Sequence, residues 1–149
     1  FGGHAAAAGF SVPIEHLEAL QERLDTYVRV YCSDLSAYET LSLRTQCTPA
    51  DIDLAFAQSL YKLGPFGKDN PKPLLWLKNV RPTNIRLLKD AHIKFKAGNH
   101  DVIWWNSKEH ISKIQAGNVD IAAEIELDRW NQRLRVKLTA RDVRESVLD

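Results

Sequence analysis

The chain has 149 residues, 44% hydrophobic and 26% charged, with a formal net charge of +1, the profile of one globular domain or slightly more. No apolar run approaches the roughly 18 residues of a membrane span, and the front end lacks the basic-then-apolar pattern of a secretory signal, so a cytoplasmic protein without membrane contact is expected. Cys32 and Cys47 have neither the paired spacing nor the histidine partners of a zinc site, and the lack of any Met, position 1 included, leads to the expectation of a piece of a longer chain.

Residues 1–12, with "GGHAAAAG" at 2–9, predict a short buried strand or turn whose small residues let another backbone or a ligand approach closely. A helix is expected from about Pro13, with Glu15 and Glu18 at the positive end of its dipole. Leu17, Leu20, Leu24, Tyr27, Val28 and Tyr31 recur on one face, which must pack on something. "ETLSLRTQ" (39–46) reads as a strand. Thr48-Pro49-Ala50-Asp51 offers a reciprocal cap, starting a helix with Ile52, Phe56, Leu60 and Leu63 on one face and Gly64-Pro65 beyond its end.

Beyond Pro65 the pattern changes to strands: "LLWLKNV" (74–80), "NIRLL" (84–88), "AHIKFKA" (91–97) and, past the Gly98-Asn99 turn signal, "DVIWWN" (101–106). Ser107 caps a short helix with Ile111 and Ile114 facing inward, and two strands close the chain, "VDIAAEIEL" (119–127) and "RLRVKLT" (133–139). The expected fold is mainly β with helices. Its strands form a five-stranded OB-fold barrel, with a helix between the third and fourth strands, an architecture that often holds oligonucleotides.

Residues 1–59 carry a net charge of −5 and residues 60–149 one of +6, so an anionic partner suits the second part. Two basic ribbons supply it: His92, Lys94 and Lys96 on one strand, and Arg133, Arg135 and Lys137 on the last. The alternative is a solvent face made basic for solubility. A two-residue turn at Trp130-Asn131 sets Glu126 against Arg135 and Glu124 against Lys137; a turn at Asn131-Gln132 moves the partners but keeps both glutamates opposite basic or polar residues. Lys94 and Lys96 show no comparable acidic neighbour, which gives them more weight as DNA contacts. Trp104 and Trp105 must face opposite ways, one in the core and the other a platform for a base; Trp104 is taken as the platform, with Trp130 at the turn tip a second aromatic candidate. At the front, Gly2, Gly3 and His4 combine exposed backbone N–H groups with an imidazole, a pairing suited to phosphate. No carboxylate cluster or nucleophile–base set accompanies them, so the chain alone does not read as a complete enzyme.

"GGHAAAAGF" resembles the Gly-Gly-His signature of the DHH-associated domain of DHH-family phosphoesterases. "LGPFGKDNPKP" (63–73) resembles the Pro-Phe-Gly stretch of the RecJ family of bacterial 5′→3′ single-stranded-DNA exonucleases, and "AEIELDRWNQRLRVKLTARDVR" is similar to that family's closing OB hairpin. Asp69, where that loop has glycine, and Trp104, where a small residue is usual, depart from the pattern. The resemblance implies that residues 1–36 are an α/β remnant of the DHH-associated domain and that residues 37–149 are a linker helix and OB-fold. It further implies two Mn²⁺ or Mg²⁺ ions held by another part of the parent enzyme and no cofactor within this part. Gly2, Gly3 and His4 would meet the substrate phosphate. In the loop, Phe66 would act as a plug and Pro71 and Pro73 as stiffeners, with Lys68 and Lys72 as secondary DNA contacts. Single-stranded DNA would be the partner, in DNA repair and recombination. The alternative is a docking module for a single-strand-binding protein or recombination factor.

Overall fold

The computed structural model describes residues 2–4, 7–32, 40–130 and 133–147, in two compact units, Phe1–Thr40 and Leu41–Asp149. In the first, β1 (Gly2–His4) and β2 (Ala7–Gly9) pair antiparallel, with Gly2 opposite Gly9 and His4 opposite Ala7. Both strands are exposed, which corrects the buried strand expected here; a two-stranded ribbon of small side chains has no apolar face to bury. A 3-10 turn, Ile14–His16, leads into α1 (Leu17–Tyr31). The apolar stripe forms, with the Tyr27 and Tyr31 rings 4.5 Å apart. Contrary to expectation, α1 buries none of its residues.

The second unit opens with β3 (Leu43–Cys47). The cap at Thr48 closes as predicted: its N–H and its hydroxyl each donate to Asp51 Oδ2 at 2.7 Å. It starts only a 3-10 turn, Pro49–Asp51. The helix α2 (Leu54–Tyr61) begins later on a cap of its own, Asp53, whose carboxylate accepts the Phe56 N–H at 2.7 Å. Ile52 and Ala57 are buried, and Phe56 and Leu60 pack against the core. Leu63, expected on the same face, lies past the helix and is exposed.

Five strands and a short helix follow in the expected places: β4 (Leu74–Val80), β5 (Pro82–Leu88), β6 (His92–Ala97), β7 (His100–Trp104), α3 (Ile111–Ala116) and β8 (Val119–Trp130). The last strand is β9 (Arg133–Glu145), and β8 and β9 both run past their predicted ends. Ser107 does not cap with its side chain; its buried hydroxyl donates to the Trp104 carbonyl at 2.7 Å.

The sheet order is β3-β4-β8-β9-β7-β6-β5. β4 and β5 lie toward opposite ends of that ladder, yet only Arg81 separates them in the chain. They are two halves of one bent strand that curls the sheet back on itself. With β7 parallel to β9 and α3 inserted before β8, this is the OB arrangement expected from the sequence. The ladder itself stays open, and β3, parallel to β4, is an added strand. Asn79 (φ 55°) and Asn84 (φ 50°) occupy the left-handed region on either side of the bend, a conformation that asparagine tolerates better than most residues. Asp120, with 4% of its side chain exposed, pins the bend: it accepts the Asn79 N–H at 3.0 Å, the Ser146 hydroxyl at 2.8 Å and Arg144 Nη2 at 3.2 Å. Burial pushes its carboxyl up, but these donors outweigh that and hold it below the usual carboxylate range. Inside, Leu75, Leu77, Ile93, Phe95, Val102, Ile121 and Leu138 form the core, with Ile114 packed in from α3.

Candidate nucleic-acid interface

Alternation sorts β6 and β7 cleanly. Ile93, Phe95, Val102 and Trp104 are buried, which leaves His92, Lys94, Lys96, Asp101 and Ile103 on the outer face; Trp105, in the turn after β7, lies beside His92. The Gly98-Asn99 turn, with Gly98 at φ 58°, joins the two strands and sets Ala97 opposite His100 and Lys96 opposite Asp101. Asp101 then neighbours Lys137 on β9, and Lys137 lies opposite Glu126 on β8. One line across four strands therefore reads Lys96, Asp101, Lys137, Glu126, alternating in sign.

The ion pairs follow this register. Asp101 Oδ2 meets Lys94 Nζ at 2.8 Å, and its Oδ1 meets Lys96 Nζ at 3.4 Å. This corrects the expectation that these two lysines lack an acidic neighbour: the hairpin brings Asp101 across from them. Burial pushes the Asp101 carboxyl up, but the Lys94 hydrogen bond and the charges of Lys94 and Lys96 hold it below the usual range. Pairing Trp130 with Arg133 leaves Asn131 and Gln132 between the strands, the second of the two registers considered; those two residues lie outside the described ones. Glu126 faces Lys137 (3.6 Å) and accepts the Thr139 hydroxyl at 2.7 Å, while Glu124 lies opposite Thr139 and pairs with Arg141 at 2.8 Å. Arg135 pairs with Asp128 at 3.3 Å. Arg133 is exposed at the start of β9.

Two grooves flank the lysines. One of about 600 Å³ runs between Lys94, Lys96, Arg135, Lys137 and the start of α2. The other, about 430 Å³, lies toward Asn84 and Arg86. On this barrel β6 and β7 hold the places of OB strands 2 and 3, the face on which such barrels bind oligonucleotides and oligosaccharides.

The tryptophans are reversed relative to expectation. Trp104 is 7% exposed and stacks on His110 with ring centroids 5.0 Å apart; it belongs to the core and offers no platform, because it shares its side of the strand with buried Val102. Trp105 is 50% exposed and lies beside His92, centroids 4.7 Å apart. The side chain of Trp130 lies outside the described residues.

Gly2, Gly3 and His4 form β1, with His4 exposed. A Cβ on Gly3 would come 3.0 Å from the Ala7 carbonyl and the Ala8 Cβ, so a side chain there would crowd the pairing of β1 with β2. In the 63–73 loop, Phe66 packs edge-on against Tyr61 (6.2 Å), and Asn70 Nδ2 donates to the carbonyls of Leu63 and Pro65 at 2.9 and 3.0 Å. Pro71 and Lys72 are exposed, as is Lys68. The loop is thus held by an asparagine that the sequence analysis passed over.

Among the described residues, no group of three or more His, Cys, Asp or Glu side chains could hold a metal, so the residues present do not fit the ions implied for the parent enzyme. Both cysteines are free thiols, and burial, followed by the Asp51 charge, pushes the Cys47 thiol up to about 11. No helix among the described residues is long and apolar enough to cross a membrane.

Residues 45–142, which include this whole face, match the family model of the RecJ OB domain. The chain belongs to that family. It is similar to the single-stranded-DNA-specific exonuclease RecJ of Bacillus subtilis, 26% identical over 149 residues, and to that of Thermus thermophilus, 26% identical over 145. The Escherichia coli RecJ exonuclease is 30% identical over 94 residues, 63% of this chain. The first two matches cover 95% and 97% of this chain but 19% and 21% of the relatives, so the chain spans about a fifth of their length. Crystal structures of Thermus thermophilus RecJ in complex with Mn²⁺ and with Mg²⁺ superpose over 99% of this chain and 22% and 23% of theirs, with TM-scores of 0.58 and 0.61 at 22% and 21% identity. That likeness establishes a shared fold with RecJ, in agreement with the OB topology traced above.

Proposed function

We infer that this chain is the DNA-holding portion of a RecJ-like exonuclease, gripping single-stranded DNA on the outer face of β6, β7 and β9. The observation that carries this reading is that the RecJ OB match coincides with the lysine-lined grooves on the strand 2 and 3 face of the barrel. Lys94 and Lys96 share one carboxylate, so this pair keeps a positive surplus for phosphate, while Arg133, Arg135 and Lys137 extend it along β9. We assign residues 1–36 to the end of a DHH-associated domain and residues 37–149 to the linker helix and OB-fold. Gly2, Gly3 and His4 would contact the substrate phosphate in the complete enzyme, where Mn²⁺ or Mg²⁺ is held elsewhere. Phosphodiester hydrolysis in DNA repair and recombination, in the cytoplasm, is the setting this role fits.

Fluorescence anisotropy with labelled oligothymidylate tests the reading. Binding should be weak, with a log–log salt slope of roughly −1.4 to −2.8 for two to four phosphates at about −0.7 each, and added Mn²⁺ should leave the strand intact. Metal-dependent cleavage by this chain, or no salt-sensitive binding, would overturn it. In the full-length protein, His4→Ala should lower turnover more than affinity. The sign-alternating line Lys96, Asp101, Lys137, Glu126 favours a second reading, a protein-docking face for a single-strand-binding protein or recombination factor. In that case charge reversals there would abolish partner binding and leave DNA binding unchanged.

A further inference from the structure

Trp105 directly follows the end of β7 and lies next to His92, the first residue of the row His92, Lys94, Lys96 on β6. Its position is fixed by the contacts that anchor the turn it shares with Asn106. The Asn106 N–H donates to His92 Nδ1 at 3.0 Å, and the N–H groups of Ser107 and Lys108 reach the Ala91 carbonyl at 3.0 and 3.3 Å. The buried Ser107 hydroxyl ties the same turn to the Trp104 carbonyl. His92 then braces the indole, the two rings inclined at 70°. Because Nδ1 of His92 accepts, a neutral ring carries its proton on Nε2, a donor beside the indole. A half-exposed large aromatic ring held this firmly loses little freedom on binding a flat partner, which is what makes a stacking platform effective.

We propose that Trp105 is a base-stacking site at the end of the lysine row, so that this face takes a nucleobase as well as phosphates. The inference rests on the single-strand-binding reading and names the feature of the ligand that the lysines cannot sense. Lys94 and Lys96 grip any polyanion; Trp105 requires a base.

The test compares oligothymidylate with a deoxyribose-phosphate strand of equal length lacking bases, using the wild-type chain, Trp105→Ala and Trp105→Phe. Trp105→Ala should weaken binding to oligothymidylate roughly 5- to 150-fold, leave the abasic strand unaffected and keep the salt slope. Trp105→Phe should recover most of the loss. Equal losses on both strands, or none on either, would overturn the stacking site while leaving backbone binding intact. Failure of the wild-type chain to bind either strand would overturn the binding reading itself, and the stacking site with it. Circular dichroism of the variants shows whether the fold is retained.

Discussion

Asp101 holds Lys94 at 2.8 Å through one carboxylate oxygen and Lys96 at 3.4 Å through the other, so one acid on β7 restrains both lysines of the proposed phosphate contact. A nucleic acid reaching these lysines competes with a partner already in place. Asp101→Asn should therefore tighten oligothymidylate binding, by roughly two- to fivefold at low salt, because ion pairs still reached by solvent are worth about 0.2–1 kcal/mol. Titrations at two salt concentrations check it: the gain should shrink as salt rises. Unchanged or weaker binding would show that Asp101 orients the lysines and does not compete with DNA.

Charge reversal should separate the two ribbons for a reason the sequence alone did not reveal. Lys94 and Lys96 stand two to one against Asp101, whereas Arg135 answers Asp128 and Lys137 answers Glu126. The double variant Lys94→Glu, Lys96→Glu should flatten the salt slope by about 1.4, from about 0.7 per phosphate contact. Arg135→Glu should change it less. Equal slopes for both variants would mean a diffuse field with no defined track.

Acid should destabilise the barrel through Asp101 and Asp120. Both carboxyls are held below their unfolded value, so their contribution is complete above the unfolded carboxylate value of about 4 and is lost as the pH falls through the folded one. Asp120→Asn removes that charge from between Asn79, Ser146 and Arg144. It should cost roughly 1.5–3 kcal/mol at pH 7, the worth of hydrogen bonds to a charged group, and should flatten the acid limb of the stability curve. Urea denaturation from pH 3 to pH 7 measures both effects.

Gly98→Ala should disturb function through geometry. The residue sits at φ 58°, and a Cβ there would meet the Pro49 side chain at 3.0 Å. A loss of roughly 1–2 kcal/mol is expected from the left-handed backbone alone. Because this turn sets Lys96 opposite Asp101, oligothymidylate affinity should change as well. Unaltered stability and affinity would show that the turn tolerates a side chain.

What could be read from the sequence was whatever depended on local pattern. The alternation of His92–Ala97 separated the basic face from Ile93 and Phe95 correctly, and Thr48 with Asp51 announced their reciprocal cap. What escaped needed pairing across strands or a choice between faces. Asp101 was in view, but only the register of the hairpin set it against the lysines; the Gly98-Asn99 turn signal was enough to fix that register. Alternation put Trp104 and Trp105 on opposite faces without deciding which was buried. Counting from Val102, an apolar residue flanked by Asp101 and Ile103, assigns Trp104 to the inside. The stripe on α1 was legible as a stripe, and periodicity says nothing of what lies against it.

The pairing of β7 with β9 has a consequence for biosynthesis. β5, β6 and β7 are joined by short turns and can associate as soon as they emerge from the ribosome. The register that places Lys137 beside Asp101 instead requires a strand made some thirty residues later, roughly two to six seconds at ordinary elongation rates. Until β9 arrives, the buried face of β7 and the core lining of β6 remain uncovered on the nascent chain. Sequences that delay translation between β7 and β9 should therefore raise aggregation of this barrel in the cell, with no change in the mature protein.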